Sequence, residues 1–225
     1  MGEEFMMQHQ PVILIANGTQ NMGSVCATDF SAQGATVILA DLDVSRGPAL
    51  AQELGPNVHH LMLDVTRQAD WRRVIRQVIT TYNRLDVLVN IPGINDQPRD
   101  WQDHTDAYSA YFERTQRRVV WGTTAAVAIM RHQFHGSIVN VLTAQPDAPD
   151  QQLITQLHDW TQTTIQGLRG TDVRVNTVQV HLNADQTHQD PDVARAKPLQ
   201  QTIRYLATTT QTSHPNGHAF VIPTT

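Results

Sequence analysis

Polar and small residues follow several short apolar runs of this chain, and these are the positions at which chemistry could occur. In a parallel sheet, ligands bind beyond the carboxyl ends of the strands, where the strand order reverses. A turn that leads into a helix, as at residues 16–23, also presents backbone N–H groups to an anion. The candidate positions are residues 16–23, Asp41, Asp64, residues 90–93, Thr143 and the residues from Val180 onward.

The elements that must position these residues alternate along the chain. Short β-branched runs predict buried strands, and apolar residues at helical spacing predict helices between them. Each parallel crossover needs a connection of helix length, so the alternation predicts an α/β fold: a Rossmann-like, doubly wound parallel sheet of about seven strands, in a single domain with helices on both faces. The predicted strands are 11–16, 35–40, 60–63, 85–89, 137–142, 173–178 and 219–222, and the predicted helices are 22–33, 45–54, 68–82, 108–132, 151–168 and 199–208.

Three polar segments lie outside these elements. We expect residues 94–107 to form a loop or loose helix and residues 183–197 to form a lid-like segment. Residues 1–10 are expected to be a flexible terminus or an appended segment, followed by one domain over 11–225.

Composition argues against several classes of function. The chain has 225 residues, 40% of them hydrophobic, and a formal net charge of −5, which suits one α/β domain and leaves no basic footprint for nucleic acid. No apolar run approaches the ~20 residues that cross a bilayer, so no membrane partner is expected. Residues 1–10 do not resemble a secretory signal. The single cysteine, Cys26, excludes an internal disulfide and fits a cytoplasmic location.

The order of the motifs resembles the short-chain dehydrogenase/reductase family. That family opens with a strand, the motif T-G-x-x-x-G-x-G and a helix, where this chain has Ala16-Asn17-Gly18-Thr19-Gln20-Asn21-Met22-Gly23. The match continues to about residue 222. Its later members are Asp41 at the family's ribose-binding acid, Asp64-Val65 at its adenine-side pair, Asn90-Ile91-Pro92-Gly93 at its N-N-A-G, residues 136–141 before its catalytic serine, residues 173–176 at its I-R-V-N, and Asn216-Gly217 at its late T-G.

The resemblance implies a dinucleotide site. The loop that would bind the pyrophosphate is altered, so the sequence leaves undecided whether a dinucleotide binds. Asn17 and Asn21 replace two of the three motif glycines. Asparagine tolerates a left-handed backbone better than other non-glycine residues, but an added side chain is harder to accept where the backbone meets a pyrophosphate. If a dinucleotide binds, Asp41 favours NAD(H) over NADP(H), because a carboxylate suits a ribose diol and repels a 2′-phosphate. The implied cofactor-binding residues are Asn17, Gly18, Asn21, Met22, Gly23, Asp41, Asp64, Val65, Asn90 and Gly93. Asp41 could instead cap its strand, and Asp64 could cap the next helix.

The family's catalytic apparatus is altered as well. Its Tyr-x-x-x-Lys pair supplies an acid/base hydroxyl and a cation that lowers its pKa, since a tyrosine otherwise titrates near ~10. No tyrosine here has a lysine four residues on, and the only lysine is Lys197. The positions that match the family's asparagine, serine, tyrosine and lysine are Thr115, Thr143, Asp150 and Ile154. Thr143 could still orient a carbonyl. Asp150 could form a replacement acid/base set with His158 and Asp159, or all three could be exposed polar residues.

Two functions follow from these departures. The first is a degenerate family member with impaired or lost oxidoreductase chemistry, serving as a nucleotide sensor or as the partner subunit of an active relative. The alternative is an active NAD(H)-dependent oxidoreductase that acts on a small carbonyl or alcohol with non-standard catalytic residues. The resemblance also implies a homodimer or homotetramer through helices around 113–132 and 151–168. No metal is expected, since His132 and His135 lack a cysteine or carboxylate at ligand spacing.

Overall fold

The computed structural model describes residues 10–19, 21–91, 105–144, 150–181, 193–208 and 215–222. Strands and helices alternate through them, as the apolar runs predict. The strands are β1 (Val12–Ala16), β2 (Thr36–Asp41), β3 (Val58–Met62), β4 (Val87–Asn90), β5 (His135–Ala144), β6 (Asp172–His181) and β7 (Ala219–Ile222). The helices are α1 (Asn21–Ala32), α2 (Arg46–Leu54), α3 (Gln68–Tyr82), α4 (Thr105–Gln133), α5 (Asp150–Gln166) and α6 (Val193–Thr208).

These strands form one parallel sheet in the order β3-β2-β1-β4-β5-β6-β7. The chain builds outward from β1 to β3 and then crosses to the other side of β1 with β4, which pairs with β1 from Ile13 with Val87 to Ala16 with Asn90. The predicted Rossmann-like parallel sheet is therefore confirmed. Its order reverses between β1 and β4, so the carboxyl ends of these two strands mark the expected ligand crevice.

Two apolar layers hold helices against the two faces of the sheet. On one face, Phe30 of α1 and Ile203 of α6 pack with β1 and β2 residues such as Ile13. On the other face, Trp71 of α3 and Met130 of α4 pack against the alternate residues of the same strands. Because a strand that is covered on both faces is apolar throughout, β1, β2 and β4 are continuous apolar runs in the sequence.

Most predicted bounds shift by one to three residues in the structure, and two of the differences have a clear physical cause. The run 60–63 is found as β3 at Val58–Met62, since β3 is an edge strand whose exposed His59 and half-buried His60 carry no apolar signal. Helix α6 begins at Val193, upstream of Pro198, so the end of the segment predicted to be lid-like is helical. Residues 1–9, 92–104 and 182–192 of the predicted terminal, loop and lid segments lie outside the described residues. No helix within the described ranges is long and apolar enough to cross a bilayer.

Candidate functional site

The turn between β1 and α1 lies at the carboxyl edge of the sheet, beside the point where the strand order reverses. Asn17 has a left-handed backbone with φ 55°, a conformation that asparagine accepts more readily than other side-chain-bearing residues. Its backbone N–H donates to the Ala40 carbonyl at 2.8 Å, and its side-chain Nδ2 donates to the Ile91 carbonyl at 2.5 Å. Asn17 therefore connects the ends of β2 and β4 across β1.

Two glycines let this turn fold tightly onto the first turn of α1. A Cβ at Gly18 would lie 2.9 Å from the Ile15 carbonyl oxygen, and a Cβ at Gly23 would lie 2.3 Å from the Asn17 carbonyl oxygen. Side chains at both places are excluded by neighbouring backbone. Met22, between them in the motif, is buried in the core. The turn thus keeps the close backbone packing that a pyrophosphate-binding loop requires, with the amino end of α1 directed at the crevice.

The Asp41 carboxylate, at the end of β2, is bound by the same turn. Its Oδ2 accepts a hydrogen bond from the Thr19 hydroxyl at 2.6 Å and a longer one from the Thr19 N–H at 3.3 Å. Its Oδ1 accepts from the Asp43 N–H at 3.2 Å. Thr19 is fully buried and Asp41 is 8% exposed, so this pair is an internal contact at the predicted ribose position.

A basic side chain secures the other side of Thr19. The Arg46 Nε donates to the Thr19 carbonyl at 2.7 Å. Arg46 itself begins α2, and its backbone N–H donates to Asp43 Oδ1 at 2.8 Å. Asp43 caps the helix in this way, and the pKa of its carboxyl is lowered by the Arg46 backbone hydrogen bond and then by the Ser45 hydroxyl.

Asp64 lies in the turn between β3 and α3. Its Oδ1 accepts from the Thr66 hydroxyl at 2.5 Å and from the Thr66 N–H at 2.9 Å. These contacts close the turn before α3 and do not reach the helix itself, whose N-cap residue is Arg67 without a side-chain capping bond. The neighbouring Val65 is buried, and its carbonyl accepts the Trp71 indole N–H at 3.1 Å.

Asn90, the residue at the end of β4, is fully buried and points between the sheet and α4. Its Nδ2 donates to the Val119 carbonyl at 3.2 Å and to Asn140 Oδ1 at 3.1 Å. Thr123 donates its hydroxyl to the same Asn140 oxygen at 3.1 Å. The Asn90 side chain therefore ties α4 to β4 and β5, and its described contacts are all internal.

The predicted catalytic positions are placed by their backbone. Thr143 pairs with Val180 near the carboxyl end of β5, and Asp150 begins α5. The side chains of Thr143, Asn21 and Asp150, and all of Gly93, lie outside what the structure describes. His158 and Asp159 follow on α5, where the Gln162 amide lies 3.5 Å from His158 Nε2 and Asp159 is exposed. Lys197 is exposed on α6, eight residues and about 12 Å of helix before Tyr205.

Sequence reasoning missed Thr19 and Arg46. A buried threonine beside a strand-end carboxylate has no periodic signal, and its partner is separated from it by 22 residues. The available clue was chemical: a hydroxyl inside the loop motif faces an acidic residue that ends the adjacent parallel strand. Among the described residues, no group of three His, Cys, Asp or Glu side chains lies close enough together to hold a metal ion.

A parallel sheet of this order, with a tight turn folded onto a helix amino end at the reversal point, defines the Rossmann-like class of α/β folds. Residues 11–183 match the family model for short chain dehydrogenases. The chain belongs to that family.

Curated relatives align over part of their length. A cyclopentanol dehydrogenase from Comamonas sp. (strain NCIMB 9872) is 33% identical over 133 residues, covering 58% of this chain and 53% of the relative. An L-fucose dehydrogenase from Bos taurus is 34% identical over 96 residues, covering 43% of this chain and 35% of the relative. The chain therefore spans about half the length of the first relative and about a third of the second.

Solved structures share the fold along nearly the whole chain. The structure of gox2181 superposes with a TM-score of 0.79 at 20% identity, covering 99% of this chain and 97% of that one. An NADH-dependent reductase, A1-R′, complexed with NAD superposes with a TM-score of 0.78 at 17% identity and the same coverage. At these identities the likeness concerns the fold.

Proposed function

We propose that this protein binds NAD(H) in the crevice between the β1–α1 turn and β4, and that it is an oxidoreductase acting on a small alcohol or carbonyl compound. The observation that carries the proposal is the packing of the turn, where the Asn17 carbonyl leaves no room for a Cβ at Gly23. Family membership supports it, as do relatives named as dehydrogenases.

The described residues fit a dinucleotide in three respects. The glycine cradle lets backbone approach a pyrophosphate, and the amino end of α1 favours its negative charge. Asp41 carries the acidic group that a ribose diol requires, although part of its acceptor capacity is used internally. The exposed apolar side chains of Leu42 and Met62 lie beside Asp41, and they offer a surface on which an adenine ring can pack.

The chemistry divides between cofactor and protein. The nicotinamide supplies or accepts the hydride. Thr143, at the carboxyl end of β5, is the proposed residue for orienting a substrate oxygen through its hydroxyl. The proton must then come from a donor other than a tyrosine. The proposed donor is Asp150 at the start of α5, because it occupies the position that matches the family's tyrosine.

A second candidate function is favoured by the lack of the family's Tyr-x-x-x-Lys pair. The chain has one lysine, Lys197, and no tyrosine four residues before it, so the usual tuned phenol is missing. Lys197 lies exposed on α6. On this reading the protein binds the dinucleotide with impaired or lost turnover, as a sensor or as the partner subunit of an active relative.

We also propose a cytoplasmic location, in keeping with the buried thiol of Cys26.

The long helix predicted to mediate oligomers is mostly covered within its own chain. Val119, Ala126 and Met130 are buried, and Trp121 and Ile129 are partly buried against the core. A homodimer or homotetramer through residues 113–132 and 151–168 therefore stays a proposal. Its contact surface would combine the polar residues of these helices with the part-exposed Trp121 and Ile129.

Titration with NADH followed by a screen of small ketones and aldehydes tests both candidates. The oxidoreductase predicts NADH oxidation that falls about 100-fold or more in Thr143→Ala, the scale for losing one donor to a reacting oxygen. Thr163→Ala is the matched control, because Thr163 is an exposed threonine on α5 that bonds only within its helix. Binding without turnover supports the sensor or partner, and absence of NADH binding contradicts both.

A further inference from the structure

The acidic residue at the proposed ribose position is already engaged by the protein. Thr19 donates both its hydroxyl and its N–H to Asp41 Oδ2, at 2.6 and 3.3 Å. The Asp43 N–H occupies part of Oδ1 at 3.2 Å. None of these donors belongs to a ligand, so the carboxylate is largely satisfied before any nucleotide arrives.

The number of acceptor sites decides what is left for a ribose. A carboxylate offers about four lone-pair sites, two on each oxygen. Thr19 takes both sites on Oδ2, and Asp43 takes one on Oδ1. A ribose diol that donates from both hydroxyls needs two sites, whereas the contacts among the described residues leave one open. To be bound through both hydroxyls, the diol must displace a Thr19 donor.

Thr19 cannot easily turn away to make that room. Its side chain is fully buried, and its carbonyl is held by Arg46 Nε at 2.7 Å. If the hydroxyl left Asp41, it would need another acceptor inside the fold, because a buried hydroxyl without a partner costs free energy. The contact is therefore held in place from both ends.

We propose that Thr19 sets the affinity of this protein for NAD(H), by holding Asp41 in an internal hydrogen bond that competes with the adenosine ribose. This inference rests on the proposed NAD(H) site and adds a specific determinant of its affinity. In this proposal the one open acceptor site of Asp41 serves the ribose 3′-hydroxyl, so the 2′-hydroxyl adds little to the affinity of the wild-type protein, and removal of the Thr19 hydroxyl restores its contribution.

Thr19→Val tests this, because valine keeps the branched shape and removes the hydroxyl. NADH and 2′-deoxyadenosine NADH are titrated by fluorescence against the wild type, Thr19→Val and the matched control Thr19→Ser, which keeps the hydroxyl. We expect Thr19→Val to bind NADH about tenfold more tightly than the wild type, the scale of one hydrogen bond to a charged group. Thr19→Ser should stay within about threefold of the wild type, and the 2′-deoxy analogue should gain nothing in Thr19→Val.

Comparison of the two nucleotides on the wild type keeps the test independent of whether Thr19→Val folds. The proposal expects the wild type to bind NADH and the 2′-deoxy analogue within about threefold of each other. A wild-type preference for NADH of tenfold or more shows Asp41 already serving the ribose and overturns the role of Thr19, while the NAD(H) site itself stands. Equal NADH affinity of Thr19→Val and the wild type also overturns the role of Thr19 and leaves the NAD(H) site standing. If neither the wild type nor Thr19→Val binds NADH, the NAD(H) site is wrong and the role of Thr19 is wrong with it.

Discussion

The Asn17 carbonyl oxygen occupies the space in which a side chain at Gly23 would begin, since a Cβ there would lie 2.3 Å from it. The same Cβ would lie 2.7 Å from the Gly18 Cα. The turn after β1 and the first turn of α1 are therefore in backbone contact. This contact directs the amino end of α1 at the crevice beside β4, which is the basis for placing an anion there.

Gly23→Ala should separate the turn from α1. The added methyl meets backbone atoms, which cannot rotate away, so we expect the free energy of unfolding to fall by about 1–3 kcal/mol and NADH binding to be lost. Urea denaturation and fluorescence titration measure the two effects. Gly167→Ala is the control, because its Cβ would meet only the Thr164 carbonyl oxygen at 3.4 Å. Unchanged NADH affinity in a folded Gly23→Ala protein would contradict the assignment of the crevice.

The left-handed backbone of Asn17 can be tested by two substitutions. Asn17→Ala places an ordinary side chain at φ 55° and removes the Nδ2 bond to the Ile91 carbonyl, so it should cost about 2–3 kcal/mol. Asn17→Gly removes the bond but accepts the backbone angle, so it should cost about 1 kcal/mol. Urea denaturation of both variants measures the difference. Equal losses would mean that backbone strain at Asn17 is negligible.

Much of the architecture could be predicted from local sequence, because a buried parallel strand must be apolar on both faces. The helix Gln68–Tyr82 and the strand Ala219–Ile222 have the predicted bounds. The edge strand β3 was misplaced, since His59 and His60 interrupt its apolar run. Helix α6 was predicted to begin at Leu199, but it runs from Val193 through Pro198, a residue that removes one helical hydrogen bond and therefore favours a helix boundary in the sequence.

The candidate site was less accessible to sequence reasoning than the fold. Strand ends drew attention to Asp41, but the Thr19 hydroxyl that binds it is brought there only by the pairing of β1 with β2. Asn90 illustrates the same limit, as its amide turns into the core toward Asn140, which lies 50 residues further along the chain. Contacts of this kind depend on side-chain rotamers and strand register together, and no local pattern records them.

Asp86 should be the most important carboxylate for stability at the opposite edge of the sheet. It is buried, accepts the Val12 N–H at 2.8 Å and forms a two-pronged contact with Arg84, with Nη2 at 2.6 Å from Oδ1 and Nε at 2.8 Å from Oδ2. Asp86→Asn leaves that guanidinium without its counter-charge, so we expect a loss of about 2–3 kcal/mol in urea, less than for a fully buried pair because Arg84 is partly exposed. NADH affinity should not change.

The exposed ion pair Glu113–Arg117 provides the control for Asp86, with both side chains about 60% exposed. Glu113→Gln should alter the free energy of unfolding by less than about 0.5 kcal/mol. If the two substitutions cost the same, burial of Asp86 contributes nothing to the strength of its contacts.

Asp43 should make the start of α2 sensitive to acid. Hydrogen bonds from the Arg46 N–H and the Ser45 hydroxyl hold the pKa of its carboxyl below the ordinary 3.8. A lowered pKa in the folded state means that the stabilisation is complete above the unfolded-state value and is lost as the pH falls through the folded-state value. Asp43→Ala should therefore lower the urea midpoint at pH 7, and the difference from the wild type should shrink steadily below about pH 4. A difference that is constant down to pH 2 would contradict this assignment.

Cys26 should report on the integrity of α1, the helix whose amino end faces the proposed cofactor. Burial, and then the negative charge of Asp29, raise the pKa of its thiol to about 12. Only about one thiol in ten thousand is then ionised at pH 8, and the thiolate is the reactive form. We expect Ellman's reagent to label the native protein far more slowly than the urea-unfolded protein, with reactivity appearing in the same transition as the loss of helical circular dichroism. Saturating NADH should slow labelling further, because a ligand bound only to the folded state suppresses opening. Labelling of the native protein at the rate of the unfolded chain would show that α1 opens independently of the sheet.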